Sequence, residues 1–176
     1  LVLAINSIQH VSCNGANDGA ISITITGGNL PYNYSWTGPG SYVSNDEDIS
    51  GLAPGNYNLQ VTDGNGCIMN SGNITITEPP LLTVNLDNIT HVSCFGANNG
   101  AISITIAGGT LPRIISWTGP SGYTSSLEDI INLAPGNYNL LITDANGCTV
   151  SLGPLAITQP LQITIVMDST RMVSCY

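Results

Sequence analysis

Five cysteines are the residues of this sequence best suited to covalent chemistry. Cys13 and Cys94 lie 81 residues apart, as do Cys67 and Cys148, and Cys175 follows Cys94 by the same interval. Cysteine pairs form disulfides in oxidising compartments, whereas clustered cysteine and histidine side chains bind zinc. The cysteine pattern is therefore compatible with disulfide formation and with zinc binding, and the surrounding sequence has to distinguish the two.

Zinc is the less favoured of the two. The cysteines do not form a Cys-x-x-Cys pair, and His10 and His91 each stand three residues before a cysteine without a second ligand pair nearby. Regularly spaced cysteines in a small unit without lysine favour disulfides instead. We therefore expect no metal and no cofactor.

Two acidic stretches are weak calcium candidates. Asp63-Gly64-Asn65-Gly66 and Asp144-Ala145-Asn146-Gly147 resemble fragments of a calcium loop, which makes Asp63, Asn65, Asp144 and Asn146 the candidate ligands. Neither stretch supplies the full set of oxygen ligands with a closing glutamate. Turn formation explains the same pattern, because Asp and Asn bond to their own backbone and Gly accepts a positive φ.

A pair of carboxylates raises the question of catalysis. Glu47-Asp48 recurs as Glu128-Asp129, which suggests a glycosidase-like pair. Adjacent residues of a strand point to opposite faces, however, and the sequence offers no set of nucleophile, base and orienting group. We therefore expect that the protein is not an enzyme.

Composition excludes other function classes. The 176 residues include two Arg and no Lys, and the formal net charge is −9, which disfavours nucleic acid and anionic membrane surfaces as partners. No apolar run approaches the roughly 20 residues of a membrane span, so we expect no membrane insertion. Isopeptide crosslinks need a lysine amine, so covalent reinforcement must come from sulfur.

The period of the cysteines extends through the whole chain. Trp36 and Trp117 share it, as do the pairs His10/His91, Tyr57/Tyr138 and Pro79/Pro160. A fixed period predicts tandem copies of one folding unit. We assign 1–80 to a first copy, 81–161 to a second, and 162–176 to the first strand of a third copy or to a donor strand. Because Leu1 is not a start methionine, we expect a piece of something longer or a processed product.

Each copy has the pattern of short β-strands. Residues 20–26 alternate apolar and hydroxyl side chains, and Tyr57, Leu59 and Val61 alternate with polar residues. Gly27-Gly28 and Asn65-Gly66 mark turns. The prediction is an all-β fold of tandem immunoglobulin-like β-sandwich repeats with a period of 81 residues, in which Trp36 is core and Tyr57 forms a tyrosine corner.

The motifs V-S-C-x-G-x-x-x-G-A-I-S-I, S-W-T-G, L-A-P-G-N-Y-N-L and T-D-x-N-G-C occur twice. Together they resemble the SprB-type repeat of large secreted adhesins from gliding and surface-colonising Bacteroidota. The resemblance implies an extracellular, cell-surface filament or stalk that serves cell adhesion and is exported by type IX secretion. Its partners would be neighbouring repeats of the same chain or filament. One departure is that Tyr32-Asn33-Tyr34 becomes Arg113-Ile114-Ile115, which argues against a shared ligand site there.

The cysteine connectivity has two solutions. Pairing within copies, Cys13 with Cys67 and Cys94 with Cys148, would close loops worth roughly 4 kcal/mol each on a chain-entropy account. In an immunoglobulin-like order, however, Cys13 and Cys67 tend to lie at opposite ends of the sandwich. Pairing between copies, Cys13 with Cys148, then becomes geometrically natural. Both pairings remain open at this stage.

Two alternative functions and several modification sites remain. The chain could be a carbohydrate-binding or accessory module in which Tyr32, Tyr34, Tyr42 or Tyr123 stacks on a surface polysaccharide. It could also be a self-assembling filament subunit whose residues 161–176 complete a neighbour's sheet. The weak glycosylation candidates are Asn33, Asn73 and Asn88, which begin N-x-S/T sequons, and Ser169, which lies in an Asp-Ser-Thr motif.

Overall fold

The structure is a computed structural model that describes residues 1–168 of the chain. It divides into two compact units. Unit 1 consists of Leu1–Val84, Ile106–Ile115 and Leu141–Ser151. Unit 2 consists of Asn85–Thr105, Ser116–Leu140 and the described residues from Leu152 onward.

Short strands joined by turns make up most of the described chain. The strands of the first half are β1 (Val2–Gln9), β2 (Gly19–Thr26), β3 (Asn33–Gly38), β4 (Tyr42–Ser44), β5 (Ile49–Leu52), β6 (Gly55–Thr62), β7 (Ile68–Asn70) and β8 (Ile74–Ile76). The strands of the second half are β9 (Thr83–Thr90), β10 (Gly100–Ala107), β11 (Ile114–Thr118), β12 (Thr124–Ser125), β13 (Ile130–Leu133), β14 (Gly136–Thr143) and β15 (Thr149–Ile157).

The strands form two pairs of sheets. In the first half, one sheet has the order β1-β2-β5 and the other the order β4-β3-β6-β7, with β8 also paired to β6. In the second half the orders are β9-β10-β13 and β12-β11-β14-β15. The long strand β15 occupies the position that β7 and β8 share in the first half. The strand pairs whose register is resolved run antiparallel.

The core of unit 1 follows from the alternation of its sequence. Ile21, Ile23 and Ile25 of β2 are buried, while the residues between them are not. They belong to one apolar cluster with Trp36 of β3 and Leu59 of β6, so the two sheets pack face to face. Burying each such side chain stabilises the fold by about 1.5–3 kcal/mol, which makes this cluster the main driving force of folding.

Unit 2 buries the corresponding residue types. Ile102 and Ile104 of β10, Trp117 of β11, and Tyr138 and Leu140 of β14 are all at most 3 % exposed. The tyrosine hydroxyl donates a hydrogen bond of 3.0 Å to the carbonyl oxygen of Ala134, and Tyr57 makes the same bond to Ala53 over 2.9 Å in unit 1. A hydroxyl bonded to backbone a few residues upstream is the tyrosine corner that the sequence predicts.

The predicted all-β class is confirmed. Among residues 1–168 the only helical elements are two short 3-10 turns, Pro39–Ser41 and Pro120–Gly122, so the described part contains no helix able to cross a membrane. Residues 162–168 of the expected third-copy strand are not assigned to a strand, and 169–176 lie outside the described residues.

Candidate functional site

A buried carboxylate organises the turn that carries Cys67 in unit 1. Asp63 directly follows β6, and its Oδ1 accepts hydrogen bonds from the backbone N–H groups of Asn65 at 2.9 Å and Cys67 at 2.8 Å. Its Oδ2 accepts the N–H of Asn29 at 3.1 Å. The approach requires glycine at position 28, where φ is +75° and a Cβ atom would lie 2.8 Å from Oδ2.

The turn that carries Cys148, also in unit 1, has the same construction. Asp144 Oδ1 accepts the N–H groups of Asn146 and Cys148, both at 2.9 Å. Its Oδ2 accepts the N–H of Thr110 at 2.8 Å. Both aspartates are thus turn organisers, and each fixes the backbone on either side of a cysteine.

These hydrogen bonds shift the acidity of the two aspartates. The N–H groups of Cys67 and Asn29 lower the pKa of Asp63, against the opposing effect of burial. The N–H of Thr110 is the largest cause that lowers the pKa of Asp144. Burial raises this pKa, and the smaller effects of the Cys148 and Asn146 N–H groups lower it further. Both carboxylates are therefore held in the charged form.

The four calcium candidates occupy these turns. The side-chain amide of Asn146 donates to the carbonyl oxygen of Ser12 at 2.8 Å and to the hydroxyl of Thr110 at 3.2 Å, so this end of the amide acts as a donor rather than as a metal ligand. Asn65 is exposed on its turn. Within residues 1–168, no three His, Cys, Asp or Glu side chains come together closely enough to hold a metal ion.

A different kind of turn carries Cys13. The carbonyl oxygen of Cys13 accepts the N–H of Ala16 at 3.0 Å, which closes the turn. Two carboxylates hold it in place: Asp18 accepts the N–H of Ser12 at 2.9 Å, and Glu78 accepts the N–H of Gly15 at 2.8 Å. The hydroxyl of Ser12 is the main cause that lowers the pKa of Asp18, and the backbone N–H of Ser12 is the next.

The structure joins Cys13 to Cys148 by a disulfide with a Cα–Cα distance of 5.7 Å, and both half-cystines lie in unit 1. This is the pairing between the two sequence copies. The Sγ atom of Cys148 lies 3.4 Å from the carbonyl oxygen of Ser12, and a cleft of about 170 Å³ beside the bridge is bordered by Pro79 and Leu82.

The pairing of Cys13 with Cys67 does not occur, and strand register explains why. Cys13 follows the end of the β1–β2 ladder at which Gln9 pairs with Ala20. The Cys67 turn bonds to Asn29, beyond the other end of that ladder, where Val2 pairs with Thr26. Six residue steps of β2, from Ala20 to Thr26, separate these ends by about 20 Å, whereas a disulfide needs Cα atoms within about 7 Å.

The pairing of Cys94 with Cys148 is absent as well, because Cys148 is bonded to Cys13. Of the four described cysteines, Cys67 and Cys94 carry free, exposed thiols. Cys175 lies outside the described residues.

The aspartates of the two pairs considered for catalysis support the sheets. Asp48 accepts the N–H of Ile23 at 2.8 Å in unit 1, and Asp129 accepts the N–H of Ile104 at 2.9 Å in unit 2. Each ties the segment before an edge strand to the centre of the neighbouring strand.

The tyrosines considered for sugar stacking also have structural contacts. Tyr42 packs edge-to-face on Tyr57 with ring centroids 5.4 Å apart, and Tyr123 packs on Tyr138 at 5.3 Å. The hydroxyl of Tyr32 donates to the carbonyl oxygen of Gly27 at 2.6 Å. These rings therefore help to hold the sandwich together.

The glycosylation candidates are divided by the described range. Asn33, Asn73 and Asn88 are exposed, on β3, between β7 and β8, and on β9, respectively. Ser169 lies outside the described residues.

Sequence reasoning missed the residues that position the bridge, namely Asp18, Glu78 and the donor amide of Asn146. Glu78 and Asn146 act on residues far away in the sequence, and Asp18 acts on the backbone N–H of a nearby residue, which no side-chain motif records. The only sequence signal was that Asp18 and Glu78 have amide counterparts, Asn99 and Gln159, at the same places in the second copy.

Fold and turns define a class of protein: an all-β chain in which one set of strands and cysteine turns occurs twice. A family model described as the SprB repeat matches the chain twice, over residues 5–41 and 86–122, which confirms the resemblance seen in the motifs. No curated protein matches the chain. The SprB repeat is a structural repeat of surface-exposed proteins, and the match indicates a repeat region of a surface adhesin.

Proposed function

We propose that this chain is a load-bearing part of the stalk of a secreted cell-surface adhesin, and that disulfides limit how far it can be stretched. The proposal places the chain outside the cell, with neighbouring repeats as its partners. Its support comes from the SprB repeat match and, above all, from the position of the Cys13–Cys148 bridge in the chain.

The bridge determines which residues carry tension. When the chain is pulled from its two ends, the force passes from Cys13 through the two sulfur atoms to Cys148. The 135-residue separation of these cysteines means that both Trp-centred cores and nearly all strands lie inside the closed loop. Those elements are protected from end-to-end extension while the bridge is intact.

The protected length is large. A fully extended chain spans about 3.4 Å per residue, so the loop of 135 residues stores about 460 Å of contour length. Without the bridge, resistance would depend only on strand hydrogen bonds and the apolar cores. A disulfide at this position therefore limits the extension of about three quarters of the chain.

Single-molecule force spectroscopy tests the proposal on the chain held by handles at its two ends. We expect that the oxidised protein never releases the length stored between Cys13 and Cys148. The variant Cys13→Ser/Cys148→Ser should release about 460 Å more. Cys67→Ser/Cys94→Ser, which keeps the bridge, is the matched control and should behave like the parent. Equal maximum lengths for the parent and the bridge-free variant would refute the load-limiting role.

A second candidate function is polysaccharide binding, which a polar groove of unit 1 favours. The groove has a volume of about 340 Å³ on the sheet of β3, β6 and β7. Its lining includes Ser35, Thr37, Asn58, Gln60 and Asn70, whose hydroxyl and amide groups suit uncharged sugars. Binding of neutral polysaccharides that Asn58→Ala and Gln60→Ala weaken would support this function, and unchanged binding would reject the groove as its site.

A further inference from the structure

The free thiol of Cys67 has the same backbone setting as the bridged Cys148. The N–H of Cys67 lies 2.8 Å from Asp63 Oδ1, and that of Cys148 lies 2.9 Å from Asp144 Oδ1. The carbonyl oxygen of each cysteine accepts the N–H of its aspartate, at 3.0 Å and 2.9 Å respectively. The Cys67 turn is therefore already in the conformation that its counterpart has in a disulfide.

The free thiol of Cys94 matches the other half of the bridge. Its carbonyl oxygen accepts the N–H of Ala97 at 3.1 Å, as that of Cys13 accepts Ala16. Gly96 donates to Gln159 Oε1 at 3.0 Å, as Gly15 donates to Glu78. The turn around Cys94 in unit 2 is thus built like the turn around Cys13 in unit 1.

Exposure separates the free cysteines from the bridged ones. Cys13 and Cys148 are half-buried, whereas Cys67 and Cys94 are exposed. The contact that accompanies the bridge joins the amide of Asn146 to the carbonyl oxygen of Ser12. The equivalent residues, Asn65 and Ser93, are both exposed beside the free thiols.

We propose that Cys67 and Cys94 are the two complementary halves of a further junction, which forms when the Cys94 turn of one molecule meets the Cys67 turn of a second molecule of this chain. Asn65 of one copy then donates to the Ser93 carbonyl oxygen of the other. The proposal rests on the observed bridge and is independent of the adhesin function.

The chemistry is a two-electron oxidation. Two thiols lose two protons and two electrons as the Cys94–Cys67 sulfur–sulfur bond forms, and a small-molecule disulfide, such as oxidised glutathione, is reduced to two thiols. One protein thiolate first attacks the small disulfide and releases one thiol. The second protein thiolate then displaces the other from the mixed disulfide.

The two halves differ, so the junction is head-to-tail. A head-to-tail contact of this kind closes into a ring where successive rotations of the molecules close, and otherwise extends into an open chain of molecules. Residues 161–168, which follow Gln159 and Pro160 beside the Cys94 turn, form no strand, and Leu161 and Ile163 are 93 % and 91 % exposed. An arriving copy therefore does not have to break a paired strand.

Two single-thiol proteins test the proposal. Both carry Cys175→Ser. One also carries Cys67→Ser and keeps Cys94, and the other carries Cys94→Ser and keeps Cys67, with tags of different mass. Each is incubated with oxidised glutathione, alone and mixed, and covalent species are quantified on non-reducing gels. Peptide mapping by mass spectrometry identifies the linked cysteines and checks that Cys13–Cys148 persists.

We expect the mixture to give a Cys94–Cys67 heterodimer in at least tenfold excess over the symmetric dimers, and the excess to disappear in 8 M urea. Asn65→Ala in the Cys67 protein should slow heterodimer formation several-fold without loss of the Cys13–Cys148 peptide. A statistical mixture, in which the heterodimer is only about twice as abundant as each symmetric dimer, or glutathione adducts with no heterodimer, would overturn the proposal.

Discussion

The Asp63–Cys67 turn and the Asp144–Cys148 turn have the same hydrogen bonds, but only the second has its cysteine in a disulfide. Each carboxylate accepts three backbone N–H groups, yet Cys67 is a free thiol and Cys148 is half of a disulfide. The turn conformation therefore does not depend on the bridge. The aspartate builds the turn, and the disulfide forms at Cys148, where the Cys13 turn is in reach.

The two cysteine turns of the other type support the same conclusion with different chemistry. Asp18 accepts the N–H of Ser12, whereas in the second copy the amide oxygen of Asn99 accepts the N–H of Ser93 at 3.0 Å. A carboxylate and an amide of similar shape thus hold equivalent turns. The copies share their geometry, and they differ in charge.

The largest expected effect is a loss of stability on removing the carboxylate that organises each of the two aspartate turns. Asp144→Ala leaves three backbone N–H groups without their acceptor in a buried position, which is among the more costly single changes. We expect the midpoint of thermal unfolding to fall on the order of 10 °C. Asp63→Ala should cause a similar fall, because the two turns are built alike.

Calorimetry of both variants, oxidised and reduced, measures this. Asp63→Asn and Asp144→Asn are the matched controls, since they keep the side-chain shape and replace one acceptor oxygen by a donor. If Asp144→Ala were tolerated only while the Cys13–Cys148 bridge is intact, the bridge rather than the carboxylate would set the turn.

A smaller effect, the pH dependence of local stability, should distinguish the Asp18 turn from the Asn99 turn. Because its pKa is lower in the folded than in the unfolded protein, Asp18 contributes stability that is fully present above the unfolded value of about 3.9 and is lost as pH falls through the folded value. Asn99 does not titrate. Below about pH 4, amide exchange should therefore speed up at Ser12 more than at Ser93.

Hydrogen exchange followed by NMR between pH 5 and pH 2 measures the difference. The variant Asp18→Asn gives the first copy the amide of the second, and it should make the ratio of the two exchange rates independent of pH after correction for intrinsic exchange. A ratio that still changes with pH in this variant would show that another group controls the Cys13 turn.

Local patterns were sufficient to predict much of the fold. The Ile/Thr alternation of residues 20–26 predicted β2, and the spacing around Tyr57 predicted β6 and its tyrosine corner. The sequence left the partner of Cys13 open, because the answer depends on which end of a ladder each turn occupies. That is a property of register and topology, which no short motif records.

Sequence also could not show that different residues do the same work. Tyr32-Asn33-Tyr34 and Arg113-Ile114-Ile115 differ at every position, and the difference argued against a shared ligand site. In the structure the Tyr32 hydroxyl donates to the carbonyl oxygen of Gly27, and the Arg113 Nη2 group donates to that of Gly108, the equivalent position. The shared requirement is a donor that closes the double-glycine turn.

The smallest expected effect follows from that equivalence. Arg113→Tyr should change the free energy of unfolding by about 0.5 kcal/mol or less, because Tyr32 supplies the equivalent donor in the first copy. A slight gain is the expected sign, since Arg113 Nε is buried and has no hydrogen-bond partner within the described residues. Arg113→Phe, which keeps the ring and removes the donor, should be about 1 kcal/mol less stable than Arg113→Tyr. Urea unfolding of the two variants measures the difference, and equal midpoints would mean that the turn at Gly108 needs no donor.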